Sequence, residues 1–256
     1  MDQFTPIQLK EHYLPKDHNL GGLFSNEEEG SLLLWAWPEL LQWHSDYVWL
    51  FSPVVGRSWP GDIWGIDNQG SLLIVETKRA NKAEDPMRDF IGYVNRPFLK
   101  GRNPIRYPET IRERWVQLLQ KEISFIERTL NSGTNLAWWD DTHPGVIPYS
   151  SKRFVIRKWP QIYLEVIISQ LLDPHYKDKV EAWLNLRKNQ TDPNLHYIGL
   201  FTVPKESEPR LSRRGRENFI LLKEEVGKDY IHCCALKVEE SESGPGKVIG
   251  WRLKFD

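Results

Sequence analysis

Residues 60–78 read PGDIWGIDNQGSLLIVETK, and this stretch contains two short apolar runs on either side of a polar turn. The runs at 62–66 and 71–77 have the length and the β-branched content that are typical of strands. The residues between them, 67–70, include the Asn and Gly that favour a tight turn. The sequence therefore predicts a β-hairpin at this point in the chain.

The length of the turn determines which side chains of the hairpin share a face. Strand residues two apart point the same way, so Glu76 and Lys78 lie together. A two-residue loop would pair Asp62 with Val75 and leave Glu76 on the opposite face. A three-residue loop that ends at Gly70 brings Asp62 opposite Glu76. Such loops end in a left-handed residue, where glycine has no steric penalty, so the sequence favours this second arrangement.

An opposed acid pair in this hairpin predicts a metal site. Directly opposed residues have Cβ atoms roughly 4.5–5.5 Å apart, and two carboxylates so close repel one another unless a cation lies between them. Mg²⁺ and similar ions prefer carboxylate and carbonyl oxygens. Asp62, Glu76 and the backbone carbonyl of Thr77 could hold such an ion, with Lys78 beside the attacking water and the phosphate. The alternative is a salt link on an edge strand, and the apolar flanks of the hairpin argue against it.

The rest of the sequence predicts helices on either side of a group of strands. Ser25 and Glu28 form a capping box that begins a first helix. Pro38 either kinks that helix or opens a second short one. Further strands are predicted at 47–55, 197–203, 230–238 and 248–255, and further helices at 85–98, 108–130, 161–172, 177–187 and 214–226.

This order of elements predicts an α/β fold with a mixed central sheet flanked by helices. The chain of 256 residues, 40% of them hydrophobic, suits one sizeable domain over residues 1–256. We expect its core at about 25–100 and 193–256, with a helical insertion at about 101–192.

Composition excludes several classes of protein. The apolar runs are too short to span a bilayer, and the N-terminus has no basic stretch followed by an apolar one, so we expect a cytoplasmic protein that does not bind membranes. The net charge of −1 argues neither for nor against nucleic acid. The adjacent Cys233 and Cys234 point to opposite faces of a predicted strand and are expected to be buried thiols. No phosphate-binding loop of the Gly-x₄-Gly-Lys type is present, so nothing implies an ATP-driven motor.

The hairpin residues resemble the motif of the PD-(D/E)xK, or restriction-endonuclease-like, nuclease superfamily. That motif has an acid at the start of the second core strand and Asp/Glu-x-Lys on the third. Here it reads Asp62 and then Glu76-Thr77-Lys78, with Pro60 displaced by one position from the usual Pro-Asp pairing. The predicted order helix–strand–strand–strand–helix–strand is also that of the superfamily's core.

The resemblance implies a restriction-endonuclease-like fold and a nuclease that hydrolyses phosphodiester bonds with Mg²⁺ or Mn²⁺. DNA is the expected partner, RNA is not excluded, and a homodimer is an open alternative because many members dimerise. Asp62, Glu76 and Lys78 are the implied catalytic residues; Asp62, Glu76 and the Thr77 carbonyl are the implied metal ligands. A catalytically inactive nucleic-acid-binding or structural protein on the same fold is the competing interpretation.

Two further positions follow from the resemblance. Many members add an acid from the first helix, and Glu28 is the candidate here, although its capping role is an equal alternative and Glu27 and Glu29 are neighbours. Some branches carry Gln and Tyr four residues apart on the helix after the motif. In this chain Asp89 stands in place of the Gln, and Tyr93 is retained.

A cluster of four arginines lies at the beginning of the predicted helix 214–226. These arginines could contact phosphates, and solvated charge at the start of a helix is an equal alternative. The cluster consists of Arg210, Arg213, Arg214 and Arg216.

Overall fold

The structure is a computed structural model that describes most of the predicted core. The described residues are 4–13, 27–51, 61–79, 86–95, parts of 111–127, 161–187, 195–203, 207–239 and 246–255. They form an α/β fold in which helices pack against a mixed seven-stranded sheet.

The secondary structure consists of seven strands, five α-helices and two short 3-10 helices among the described residues. The strands are β1 Phe4–Tyr13, β2 Tyr47–Phe51, β3 Ile63–Asp67, β4 Leu72–Arg79, β5 Leu195–Val203, β6 Ile231–Glu239 and β7 Lys247–Phe255. The helices are α1 Glu27–Ala36, α2 Pro86–Asn95, α3 Gln161–Leu172, α4 Pro174–Arg187 and α5 Arg213–Val226, with 3-10 helices at Pro38–Leu41 and Lys228–Tyr230. Residues between 111 and 127 are also helical where they are described.

The strand order across the sheet is β1-β7-β6-β5-β4-β3-β2. The three central strands β4, β5 and β6 run parallel, and every other neighbouring pair is antiparallel. Successive parallel strands need crossover connections, and right-handed crossovers in the same direction place the helices that directly follow β4 and β5 on one face of the sheet. Helices α2 and α5 follow β4 and β5 respectively and pack against each other on that face.

The other face of the sheet is covered by α1 together with α3 and α4. Thr77 of β4 points toward α1, where its hydroxyl lies 2.8 Å from that of Ser31. On the α2 side the ring of Phe90 packs edge-on against Tyr197 of β5. Because helices cover both faces, consecutive residues of β4 are buried whichever way they point, and Leu72 to Val75 are all fully buried.

Most of the predicted elements are confirmed to within three residues where the structure describes them. Pro38 opens a separate 3-10 helix and does not kink α1, which confirms the second of the two predicted alternatives. Cys233 and Cys234 are buried thiols, as predicted. Among the described residues, no helix is both long and apolar enough to cross a membrane. The predicted cap residue Ser25 and the distal part of the predicted strand 47–55 lie outside the described residues.

Strand β1 was not predicted. Its side chains do not alternate cleanly between buried and exposed, and its pairing with β7 shifts register between Gln8 and Glu11. A strand at the edge of a sheet with such an irregularity has no regular period of two in its sequence. The pairing with β7 can be recognised only from the folded chain.

Candidate active site

The β3–β4 hairpin has the register that the sequence favours. Ile63 lies opposite Val75, and the backbone N–H of Asp67 donates to the carbonyl of Ser71 at 3.0 Å. Gly70 closes the loop with φ of 79°, and its N–H donates to the carbonyl of Asp67 at 2.9 Å. The loop therefore has three residues. The regular pairing ends at Ile63 and Val75, and the N–H of Asp62 also bonds to the carbonyl of Val75, so the position of Asp62 directly opposite Glu76 stays a prediction.

Tertiary contacts hold this turn in place. Asp67 is fully buried, and its carboxylate accepts hydrogen bonds from the backbone N–H groups of Gln69 and Ser71 at 3.0 and 2.8 Å. Arg187, at the end of α4, is also buried and donates to the carbonyl of Gly70 at 2.9 Å. Burial lowers the pKa of Arg187 to about 10, and the charge of Asp67 opposes that shift. The hairpin register is thus supported by a distant helix as well as by its own turn.

Asp62 lies directly before the first residue of β3, and two hydrogen bonds connect it to β4. Its backbone N–H donates to the carbonyl of Val75 at 2.6 Å, and its Oδ2 accepts from the N–H of Thr77 at 2.7 Å. The carboxylate thus takes the place of a backbone acceptor. In an extended strand the N–H and C=O of one residue point to the same side, so the Thr77 carbonyl is directed toward the side of β4 on which Asp62 lies.

Glu76 is almost completely buried, with 3% of its surface exposed. Burial first, and then the charge of Asp62, raise its pKa well above the usual value, while Lys78 lowers it. Its neighbour on β5 is Gly199, which has no side chain to occupy the space beside the carboxylate. The site therefore contains a buried acid whose ionised form is disfavoured by burial and by the charge of Asp62.

Lys78 connects the hairpin to α2. Its Nζ lies 2.6 Å from Oε1 of Glu76 and 3.0 Å from Oδ2 of Asp89. Asp89 is in the first turn of α2, and 40% of its side chain is exposed, against 13% for Lys78. The helix that follows the motif thus contributes an acid to the site. The sequence indicated this only through the resemblance, in which Asp89 stands in the place of a Gln.

The oxygen donors of this site fit a hard divalent cation. Two carboxylates and one backbone carbonyl, from Asp62, Glu76 and Thr77, are the donor types that Mg²⁺ and Mn²⁺ prefer. A cation would also relieve the excess negative charge that raises the pKa of Glu76. Within the described part of the chain, no group of three or more His, Cys, Asp and Glu side chains is arranged to hold a metal ion, so the carbonyl and water would have to complete the coordination.

The remaining predicted site residues are only partly described. Helix α1 begins at Glu27 and packs on the Thr77 face of β4, but the side chains of Glu27, Glu28 and Glu29 lie outside the described residues. The side chain of Tyr93 on α2 lies outside them as well. The participation of Glu28 in the site therefore stays a prediction.

A second polar cluster lies at the opposite end of the parallel strands. His196 of β5 and His232 of β6 approach to 3.1 Å between ring nitrogens, and the ring of Trp43 packs edge-on against both. Burial and the neighbouring His196 lower the pKa of His232 to about 3. The two histidines are 36 positions apart in the sequence, and the pairing of β5 with β6 brings them together.

No family profile, no curated protein and no solved structure matches this chain. The restriction-endonuclease-like assignment therefore stays a prediction that depends on the residues of the hairpin.

Proposed function

We propose that this chain is a metal-dependent nuclease that hydrolyses phosphodiester bonds in DNA with Mg²⁺ or Mn²⁺. The observation that carries the proposal is the hydrogen bond that the Asp62 carboxylate accepts from the Thr77 N–H, which places this acid near the buried Glu76. Two acids and a lysine in this arrangement could bind a divalent cation and stabilise the charge that develops on a phosphate during its cleavage.

The energetics of Glu76 support this proposal. Burying a carboxylate beside a second carboxylate disfavours its ionised form and costs free energy. A simple structural core would be more stable with an apolar or amide side chain at this position. A divalent cation bound by Asp62 and Glu76 supplies the charge that would make the arrangement favourable.

The chemistry follows from the positions of the Asp62, Glu76, Lys78 and Asp89 side chains. A divalent cation polarises a phosphoryl oxygen and makes water a stronger nucleophile near neutral pH. Asp62 and Glu76 would hold it, and the fixed Asp62 carboxylate would orient it relative to β4. Lys78 contacts two carboxylates, with its Nζ 2.6 Å from Glu76 and 3.0 Å from Asp89. It would therefore act as a cation that stabilises the charge developing on the phosphate oxygens during attack.

Calorimetry with Mn²⁺ tests the metal site. We expect one binding event in the unsubstituted protein and its loss in both Asp62→Ala and Glu76→Ala. Asp178→Ala and Glu224→Ala are matched controls, because both acids are exposed and lie on α4 and α5, which contribute no residue to the predicted metal site. Cleavage of mixed duplex and single-stranded DNA should require Mn²⁺ and should fall by at least about 100-fold in the two site variants. A folded protein that binds no Mn²⁺ would contradict the proposal.

A catalytically inactive nucleic-acid-binding or structural protein is the second candidate. The observation that favours it is the contact between Lys78 and Glu76, because an ammonium group already offsets part of the buried charge. In that case Mn²⁺ binding, if present, would be accompanied by no cleavage of any DNA form, and Lys78→Met would lower stability without altering an activity.

A further inference from the structure

We propose that Arg210, Arg213, Arg214 and Arg216, hereafter the arginine surface, bind the DNA phosphate backbone next to the candidate active site. The proposal rests on the proposed function for the identity of the bound polymer. The placement and exposure of the four side chains argue for it independently of the metal site.

The sheet topology brings the arginine surface to the same side of the molecule as Lys78. Strands β4 and β5 are parallel neighbours, with Lys78 opposite Phe201 near their carboxyl ends. Helix α5 begins at Arg213, after β5 has ended at Val203, and it packs against α2, the helix that carries Asp89. Both helices run back from the carboxyl ends of the parallel strands over the same face. The first turns of α2 and α5 therefore lie side by side, at an interaxial distance of roughly 8–10 Å.

The segment that carries the arginines is held rigidly. Pro209 and Leu211 are buried, and the hydroxyl of Ser212 accepts a hydrogen bond from the N–H of Gly215 at 2.9 Å. Arg210, Arg213 and Arg214 lie between these residues, Arg216 follows Gly215, and all four side chains are exposed. A fixed backbone with exposed basic side chains suits a polyanion, because binding then costs little conformational entropy in this segment.

Three of the four arginines have no ionic partner within the described part of the chain. Arg213 pairs with Glu217 at 3.0 Å, one turn along α5, but none of the described acids forms an ion pair with Arg210, Arg214 or Arg216. In a protein with a net charge of −1, these unpaired guanidinium groups form a local positive surface. Guanidinium groups keep their positive charge throughout the neutral pH range and form charge-assisted hydrogen bonds to phosphate oxygens.

The distance between the arginine surface and the candidate active site is compatible with the spacing of phosphates along a nucleic acid. Adjacent strands are about 4.8 Å apart, so β6 lies about 10 Å from β4. DNA carries one negative charge for about every 1.7 Å of duplex axis. A duplex with one phosphate at Lys78 would thus present further phosphates within reach of the arginine surface.

Binding of a fluorescein-labelled DNA duplex, measured by anisotropy in EDTA between 50 and 300 mM KCl, tests the proposal on the full chain. We expect Arg214→Ala/Arg216→Ala to weaken binding by at least about tenfold at 100 mM KCl and to reduce the salt slope by about 1–2. Lys10→Ala/Lys254→Ala is the charge-matched control, because both lysines are exposed on β1 and β7, the two strands at the far end of the sheet. It should bind as the unsubstituted protein does, and Arg214→Lys/Arg216→Lys should retain most of the affinity because phosphate contacts depend mainly on charge.

Equal losses in the arginine and lysine pairs, no loss in the arginine pair, or no binding by the unsubstituted protein would each overturn the proposal. Mn²⁺ calorimetry on the same variants separates this result from the proposed function. If the arginine pair variant binds both Mn²⁺ and DNA as the unsubstituted protein does, only the proposed role of the arginine surface is wrong. If no variant binds Mn²⁺ but the arginine pair alone weakens DNA binding, the surface stands and the metal-dependent nuclease does not.

Discussion

Glu76 lowers the stability of the folded state and also supplies a carboxylate to the proposed metal site. It lies on a buried stretch of β4, and its carboxylate forms an ion pair with Lys78. Burial and Asp62 raise its pKa well above the usual value. Between the unfolded pKa and this higher folded pKa, the folded state binds more protons than the unfolded state. Glu76 therefore destabilises the fold progressively as the pH rises through that window.

Replacing Glu76 by Gln should stabilise the protein at alkaline pH. Without divalent cations, we expect Glu76→Gln to raise the free energy of unfolding at pH 8 by about 1 kcal/mol and to have a smaller effect at pH 5. Urea unfolding at both pH values measures this. Glu224→Gln, at an exposed site on α5, should change stability by less than about 0.5 kcal/mol at either pH. A less stable Glu76→Gln protein at pH 8 would mean that the ion pair with Lys78 outweighs the burial of the charge.

At the scale of elements, the hairpin depends on two glycines with positive φ. Gly70 closes the turn, and Gly61 directs the chain into β3 with φ of 84°. A Cβ at Gly61 would lie 2.4 Å from Cγ2 of Ile74 and 3.1 Å from the carbonyl oxygen of Val75. Val75 is also the residue whose carbonyl accepts from the N–H of Asp62. The close approach of the two strands therefore sets the position of Asp62.

Gly61→Ala should destabilise the protein, whereas Gly92→Ala should not. At Gly61 both the backbone conformation and the contact with Ile74 oppose a side chain, and we expect a loss of about 2 kcal/mol or more, together with weaker Mn²⁺ binding. At Gly92, in α2, a Cβ would meet nothing within 4 Å, so alanine should add about 0.5–1 kcal/mol through its helix propensity. Thermal unfolding and calorimetry of both variants measure these effects. Equal stability of the two variants would contradict the role assigned to Gly61.

For the molecule as a whole, the stability at acid pH should depend on the buried pair His196 and His232. The pKa of His232 is lowered to about 3 by burial first, then by His196, Arg252 and His44, while a backbone hydrogen bond involving Asp229 opposes the shift. Between about pH 3 and 6.5 the unfolded chain thus binds more protons than the folded protein at this residue. The contribution of His232 to the free energy of unfolding is complete above pH 6.5 and falls as the pH decreases through that range.

His232→Asn should make the protein less sensitive to acid. We expect the decrease in the free energy of unfolding between pH 6.5 and 4.5 to be smaller by about 2 kcal/mol than in the unsubstituted protein. Urea unfolding across this range measures the slope, and His175→Asn, at an exposed position on α4, is the matched control that should leave it unchanged. An identical slope in His232→Asn would show that other groups determine the acid sensitivity.

The sequence by itself determined the α/β class, most helices and strands, and the three-residue loop of the hairpin. These features depend on rules that act over a few residues: alternation along a strand, helical periodicity, and the tolerance of glycine for positive φ. Gly70 favours the three-residue loop, and that loop sets the register of the regular pairs from Ile63 and Val75 to Ile66 and Leu72.

Only the tertiary structure decided the features that join distant parts of the chain. The pairing of β1 with β7 connects the two ends of the chain, and Arg187 of α4 reaches Gly70 across 117 positions. The contact of Lys78 with Asp89 depends on how α2 packs over β4, and the contact of His196 with His232 depends on the pairing of β5 with β6. Such contacts follow from the packing of whole helices and strands around a common core, and no local pattern of residues encodes that packing.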